Sequence, residues 1–153
     1  MKTKLFKRIA AVAAAAALML SVTACGSSGD SSSSSGSSDG DVIKVGVLFS
    51  ESGSTALVEK TMTNACKMAF DEINAAGGIN GKQIEYIHED YASDPAKATE
   101  KIKKLIEQDK VVATVGCYTS ASRQATLSTL KDDNSLLIYP TYTEGEEVHP
   151  NVI

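Results

Sequence analysis

From Val42 onward the sequence alternates short apolar, β-branched runs with longer stretches whose apolar residues recur every three or four positions. Nothing else in the chain restricts its fold as strongly. Val42-Ile43-Lys44-Val45-Gly46-Val47-Leu48-Phe49 reads as a strand covered on both faces, because a strand with one wet face would alternate polar and apolar residues. After the turn Ser50 to Ser54, apolar residues fall at Val58, Met62, Ala65, Cys66, Ala69, Phe70, Ile73 and Ala76, the stripe of a long amphipathic helix with Cys66 on its buried side. Gly77-Gly78 supplies the left-handed residue that ends such a helix. Ile84 to His88 predicts a shorter, more polar strand nearer an edge. Asp94-Pro95 starts a second helix, the aspartate as N-cap and the proline where a missing N–H costs nothing, with Ala98, Ile102, Leu105 and Ile106 on its buried face. Val111 to Val115 is a third strand, Ala121 to Lys131 a third helix and Leu136 to Tyr139 a fourth strand. This βαβαβαβ order calls for an α/β fold, a doubly wound parallel sheet with right-handed crossovers, ending at an unpaired fourth strand. Ligands of such folds meet the strand exits, here Ser50 to Ser54, Asp90 to Asp94, Gly116 to Ser120 and the chain from Pro140.

Two unlike segments precede that domain. Residues 1–25 begin with Lys2, Lys4, Lys7 and Arg8, continue with an unbroken apolar run from Ile9 to Leu20, and end in Val22-Thr23-Ala24-Cys25. The run is too short to cross a hydrocarbon layer of about 30 Å comfortably, so it predicts a secretory signal peptide. Residues 26–41 contain only Ser, Gly and Asp and cannot bury enough apolar surface to offset their ordering entropy, so they predict a flexible tether. The folded domain is residues 42–153. Taking the four basic residues and three aspartates before Val42 from the totals of 15 and 19 leaves 11 basic against 16 acidic residues. That acidic balance, with no Trp, argues against a nucleic-acid partner held by phosphate neutralisation.

The motifs of several enzyme classes are missing. Gly53 stands alone after the first strand, so there is no dinucleotide fingerprint, and Gly77 to Gln83 runs from helix to strand and reads as a turn, not a phosphate loop. No nucleophile elbow is present, and His88 and His149 lack metal-ligand spacing, so neither cofactor nor metal is expected. Cys66 and Cys117 do not make a disulfide scaffold. A hydrolase using Cys117 with His88 as base is the rival from the enzyme class, with no local motif behind it.

Val45 to Ser50, Glu72 to Lys82 (Glu-Ile-Asn-Ala-Ala-Gly-Gly-Ile-Asn-Gly-Lys), Glu89 to Asp94, Val115 to Arg123, and Tyr139-Pro140-Thr141 with Glu144-Gly145 and Pro150-Asn151 are spread over nearly the whole of residues 42–153. They resemble the solute-binding lipoproteins of ABC importers, of the branched-chain amino-acid type and the type I periplasmic-binding-protein fold. Gly116-Cys117-Tyr118-Thr119-Ser120-Ala121-Ser122-Arg123 and the Tyr-Pro segment resemble the urea- and short-amide-binding branch in particular. The resemblance implies an extracytoplasmic receptor without catalysis, whose partners are a small neutral amide, ABC permease subunits and, through a lipid anchor, the cell membrane. Val22 to Cys25 is similar to the bacterial lipobox, which makes Cys25 the lipidated residue and the first of the mature chain. Carried over by position, Tyr118 and Ser120 fall in the ligand loop after the third strand and Tyr139 and Thr141 in that after the fourth, with Ser50 at the first exit. Urea-binding members carry Trp where Tyr118 stands, and Tyr-Glu-Gly where this chain has Thr143-Glu144-Gly145. A branched-chain or other amino acid is the alternative ligand; Asp90 or Glu51 would then face its ammonium group. A regulatory amide sensor is a further alternative. The family's chains are more than twice as long, with two lobes, so the sequence is expected to be the front of the first lobe.

Overall fold

The computed structural model describes residues 42–153. The segments expected to be a signal peptide and a tether, Cys25 among them, lie outside the described residues. Seven elements follow in the expected order: β1 (Val42–Leu48), α1 (Ala56–Ala75), β2 (Gln83–Glu89), α2 (Pro95–Glu107), β3 (Ala113–Gly116), α3 (Ser120–Asp132) and β4 (Leu137–Ile138). The strands form one parallel sheet in the order β2-β1-β3-β4. β1 pairs on both sides, from Val42 opposite Gln83 to Leu48 opposite Glu89, and from Val45 opposite Ala113 to Leu48 opposite Gly116. Its continuous apolar run reflects that central place, while the more polar β2 holds the edge.

The sheet alternates its side chains between two faces. On one, α2 and α3 pack together over a core of Leu48, Tyr91, Ala98, Ile102, Leu105, Cys117, Leu130 and Leu137. On the other, α1 lies against β2, with Phe70 tilted on Tyr86 at 5.9 Å between ring centroids. Asn74 fixes the end of α1 by accepting from the Ile84 N–H (2.7 Å) and donating to its carbonyl (2.9 Å). Because α1 meets one edge strand, its stripe is only partly covered. Cys66 is therefore half-buried where the helical stripe predicts a buried residue, and the one fully buried position of α1 is Glu59.

Asp94 caps α2 as expected, accepting from the N–H groups of Ala96 (2.8 Å) and Lys97 (3.4 Å), with Pro95 following. β3 starts two residues later than its apolar run suggests, because Val111 and Val112 form the approach to the sheet. The Val112 N–H bonds the Lys44 carbonyl there. The fourth strand is not left bare, in contrast to the expectation of an unpaired edge. Asn151 to Ile153 run parallel beside it, the Leu137 N–H donating to Asn151 (2.8 Å) and the Tyr139 N–H to Ile153 (2.7 Å).

Candidate functional site

All four strands point their carboxyl ends to one rim of the sheet, and the four exits interlock there. The first two exits are joined by side chains that replace backbone pairing. Asp90 accepts from the N–H groups of Glu51 (3.0 Å) and Ala92 (2.8 Å) and from the Ser52 hydroxyl (2.8 Å). Burial alone would raise its carboxyl, but these bonds outweigh burial and hold it below the usual carboxylate range. Ser93 returns the connection, its N–H donating to Ser50 Oγ (2.8 Å) and its Oγ accepting from Thr55 N–H (3.0 Å). Gly53 makes the close approach possible, since a Cβ on it would stand 2.4 Å from the Ala92 carbonyl oxygen.

Beneath this join lies Glu59, fully buried on the first turn of α1. Its carboxyl group accepts from the Ser50 N–H (2.7 Å) and the Thr55 hydroxyl, and it lies next to the Tyr91 hydroxyl. Burial, then the neighbouring Glu59 carboxyl group, pushes the Tyr91 phenol well above the ordinary tyrosine value. The Tyr91 oxygen also accepts from the Tyr118 N–H (3.3 Å). The Tyr118 carbonyl in turn accepts from the Tyr139 hydroxyl (2.9 Å) and the Thr141 hydroxyl (3.0 Å). A path of neighbouring groups thus crosses all four exits, from Ser50 and Glu59 to Tyr91 beside them, and by hydrogen bonds from Tyr91 through Tyr118 to Tyr139 and Thr141.

The third exit is shaped by Gly116, whose φ of 150° and approach to Leu48 leave no room for a side chain. Thr119 caps α3 by accepting from the Ser122 N–H (3.2 Å). At this helix start opens a pocket of about 150 Å³ lined by Tyr118, Thr119, Ser120, Tyr142 and Glu144. The Ser120 oxygen accepts from the Glu144 N–H (3.1 Å), which leaves the hydroxyl proton for another acceptor. Arg123, one turn into α3, is buried with its guanidinium 5.5 Å from the centre of the Tyr139 ring. Its Nη1 reaches Glu147 at 3.3 Å, while Nε and Nη2 find no hydrogen-bond partner among the described residues. A second hollow, lined by Val42, Lys44, Lys110 and Val112, lies at the opposite end of the sheet from the exits.

Of the residues named from sequence, Tyr118 and Ser120 line the pocket. Tyr139 and Thr141 are brought to the same place but spend their hydroxyls on the Tyr118 carbonyl. Ser50 is fully buried, with its N–H and Oγ both bonded within the protein. Thr119, Tyr142 and Glu144 join the lining without having been singled out as ligand residues; the Thr-Glu-Gly segment was the available signal for Glu144. Asp90 is occupied by loop donors, and Glu51 lies exposed 3.9 Å from His88, so Glu144 is the carboxylate at the pocket. Cys117 is fully buried and its thiol is pushed up to about 12 by burial and the nearby Glu59 charge, so it stays protonated at neutral pH. His88 Nε2 lies 3.0 Å from the Phe49 carbonyl oxygen. Among the described residues no group of three His, Cys, Asp or Glu is placed to hold a metal.

Residues 43–153 match the family model described as periplasmic binding protein domain. The chain belongs to the periplasmic binding proteins. This binding protein is 33% identical over 110 residues to the leucine-, isoleucine-, valine-, threonine- and alanine-binding protein of Pseudomonas aeruginosa, a match covering 72% of this chain and 29% of that one. It is 40% identical to the branched-chain amino acid transporter substrate-binding protein LivJ of Streptococcus pneumoniae, solved with isoleucine. That superposition has a TM-score of 0.67 and covers 69% of this chain and 30% of that one. An ABC transporter substrate-binding protein of Sphaerobacter thermophilus is 29% identical, with a TM-score of 0.59, over 63% of this chain and 26% of that one. The α/β parallel sheet therefore matches part of a type I periplasmic-binding-protein fold, and the chain spans less than a third of the length of these relatives.

Proposed function

We propose that the full-length protein is the extracytoplasmic solute-binding subunit of an ABC importer and captures a small aliphatic amino acid by binding alone. The observation that carries this reading is the pairing of opposite polarities at one pocket. The N-terminus of α3 and the Ser120 hydroxyl offer donors to a carboxylate, and Glu144 offers an anion to an ammonium group. The isoleucine bound to the Streptococcus pneumoniae relative supports the same ligand class. In this reading Ser120 touches the ligand and Tyr118 is a wall, while Ser50, Tyr139 and Thr141 act through the frame that holds Tyr118. The second reading, urea or a short amide, rests on the Gly116 to Arg123 segment and on the neutral hydroxyls of Tyr118, Thr119 and Ser120 beside the pocket.

Calorimetry on the full-length protein decides between them. Leucine, isoleucine or valine is expected to bind, and Glu144→Gln to weaken that binding, whereas heat from urea, acetamide or butyramide alone would establish the second reading. Delivery to a permease and anchoring through Cys25 complete the proposal. Cys25→Ser is expected to release the protein from membranes or leave it unprocessed; a wild-type protein that takes up no lipid label would remove the anchor.

A further inference from the structure

The path that ties the exits together has an unusual centre. Glu59 is a buried carboxyl group that accepts from the Ser50 N–H and the Thr55 hydroxyl and lies beside the Tyr91 hydroxyl, and no cation is among these neighbours. Keeping an acidic group in such a place is costly unless each oxygen is satisfied, and an apolar side chain on the first turn of α1 would fill the space more cheaply. Its neighbours explain the arrangement. Ser50 belongs to the β1 exit and Tyr91 to the β2 exit, and the Tyr91 hydroxyl carries the connection to the Tyr118 peptide at the β3 exit. The Tyr118 carbonyl, in the next peptide unit, is gripped by the β4 exit through Tyr139 and Thr141. The pocket wall at Tyr118 to Ser120 is therefore held by groups on the β2 and β4 exits.

Resting on the proposed ligand reading, we infer that Tyr91, with Glu59 beside its hydroxyl, is a positioning residue that sets the orientation of the Tyr118 main chain, and with it the pocket, without touching the ligand. Removing the Tyr91 hydroxyl takes the acceptor from the Tyr118 N–H, while Tyr139 and Thr141 still pull on the carbonyl. The Tyr118 to Ser120 turn is then free to rotate. Affinity falls because Ser120 and the α3 N-terminus no longer converge, not because a ligand contact is lost.

The test compares full-length wild type, Tyr91→Phe and Ile84→Val, the last being a buried methyl deletion at the start of β2, at the far end of that strand from the rim. Isoleucine and acetamide are titrated into each by calorimetry, and amide hydrogen exchange of residues 116–120 is followed without ligand. Tyr91→Phe is expected to weaken whichever probe binds by about tenfold, the size of one lost buried hydrogen bond, and to speed exchange at Tyr118. Ile84→Val is expected to lower the urea midpoint with unchanged affinity. Wild-type affinity in Tyr91→Phe, or an equal loss in Ile84→Val, overturns the inference, the latter because affinity would merely follow stability. Should neither probe bind wild type, the ligand reading fails by itself, and exchange decides this inference: faster exchange at Tyr118 in Tyr91→Phe supports it, and unchanged exchange overturns it.

Discussion

At the scale of single residues, the rim depends on atoms that have no room to move. A Cβ at Gly116 would stand 2.3 Å from the Leu48 carbonyl oxygen, a backbone atom in the central strand that cannot yield. Gly116→Ala is expected to lose about 1–3 kcal/mol or more, measured as a fall in the urea midpoint. Asp90 makes a prediction in pH. Its native carboxyl is held below the usual range, so over the acid window the unfolded chain binds more protons than the native one and stability rises with pH. The contribution is whole above the unfolded value of about 3.9 and is lost as pH falls through the depressed native value. Asp90→Asn is thus expected to be destabilised most near neutral pH, and the gap to wild type to narrow toward about pH 3 in urea titrations. Glu89 shares the sign: burial would raise it, but Lys104 and Lys101 at 2.7 and 2.9 Å outweigh burial and hold it low.

At the scale of elements, Asp94 isolates what one cap contributes. Asp94→Ala removes the acceptor for Ala96 and Lys97 and is expected to cost about 0.5–2 kcal/mol, with Asp94→Asn recovering most of it in the same melts. Such local chemistry is why α2 was legible from its sequence: cap, proline and stripe all lie within the element itself. The same holds for β1, whose composition reports two covered faces. Boundaries set by partners were not legible. Val111 and Val112 are as β-branched as the strand they precede, and only the register against Lys44 and Val45 decides where β3 begins. Glu59 reads as an ordinary first-turn acid, since nothing near it in sequence announces Tyr91. The Asn151 to Ile153 pairing is three residues long, too short for any periodicity. The site was half legible: Tyr118 and Ser120 follow from the exit after β3, whereas the committed hydroxyls of Ser50, Tyr139 and Thr141 depend on contacts between exits.

At the scale of the molecule, the two faces of the sheet are unequally covered. α2 and α3 seal one of them, while on the other α1 reaches β2 and leaves Ile138 and, on its own surface, Leu57 and Val58 exposed. The 153-residue chain studied alone is expected to bind a hydrophobic dye and to melt broadly. Leu57→Glu with Ile138→Thr is expected to reduce the dye signal while shifting stability by only about 0.5 kcal/mol per site; a sharp melt without dye binding would contradict this. The rim is the opposite case, its four loops braced into one frame, so that in the proposed reading little ordering would remain to be done on capture of a solute. That frame holds Tyr118 by its amide and its carbonyl, and both belong to the main chain. In the proposed reading, the side chain standing on that clamped backbone is thereby a replaceable part: evolution or a designer can exchange it to suit another solute, and the bracket that presents it stays as it was.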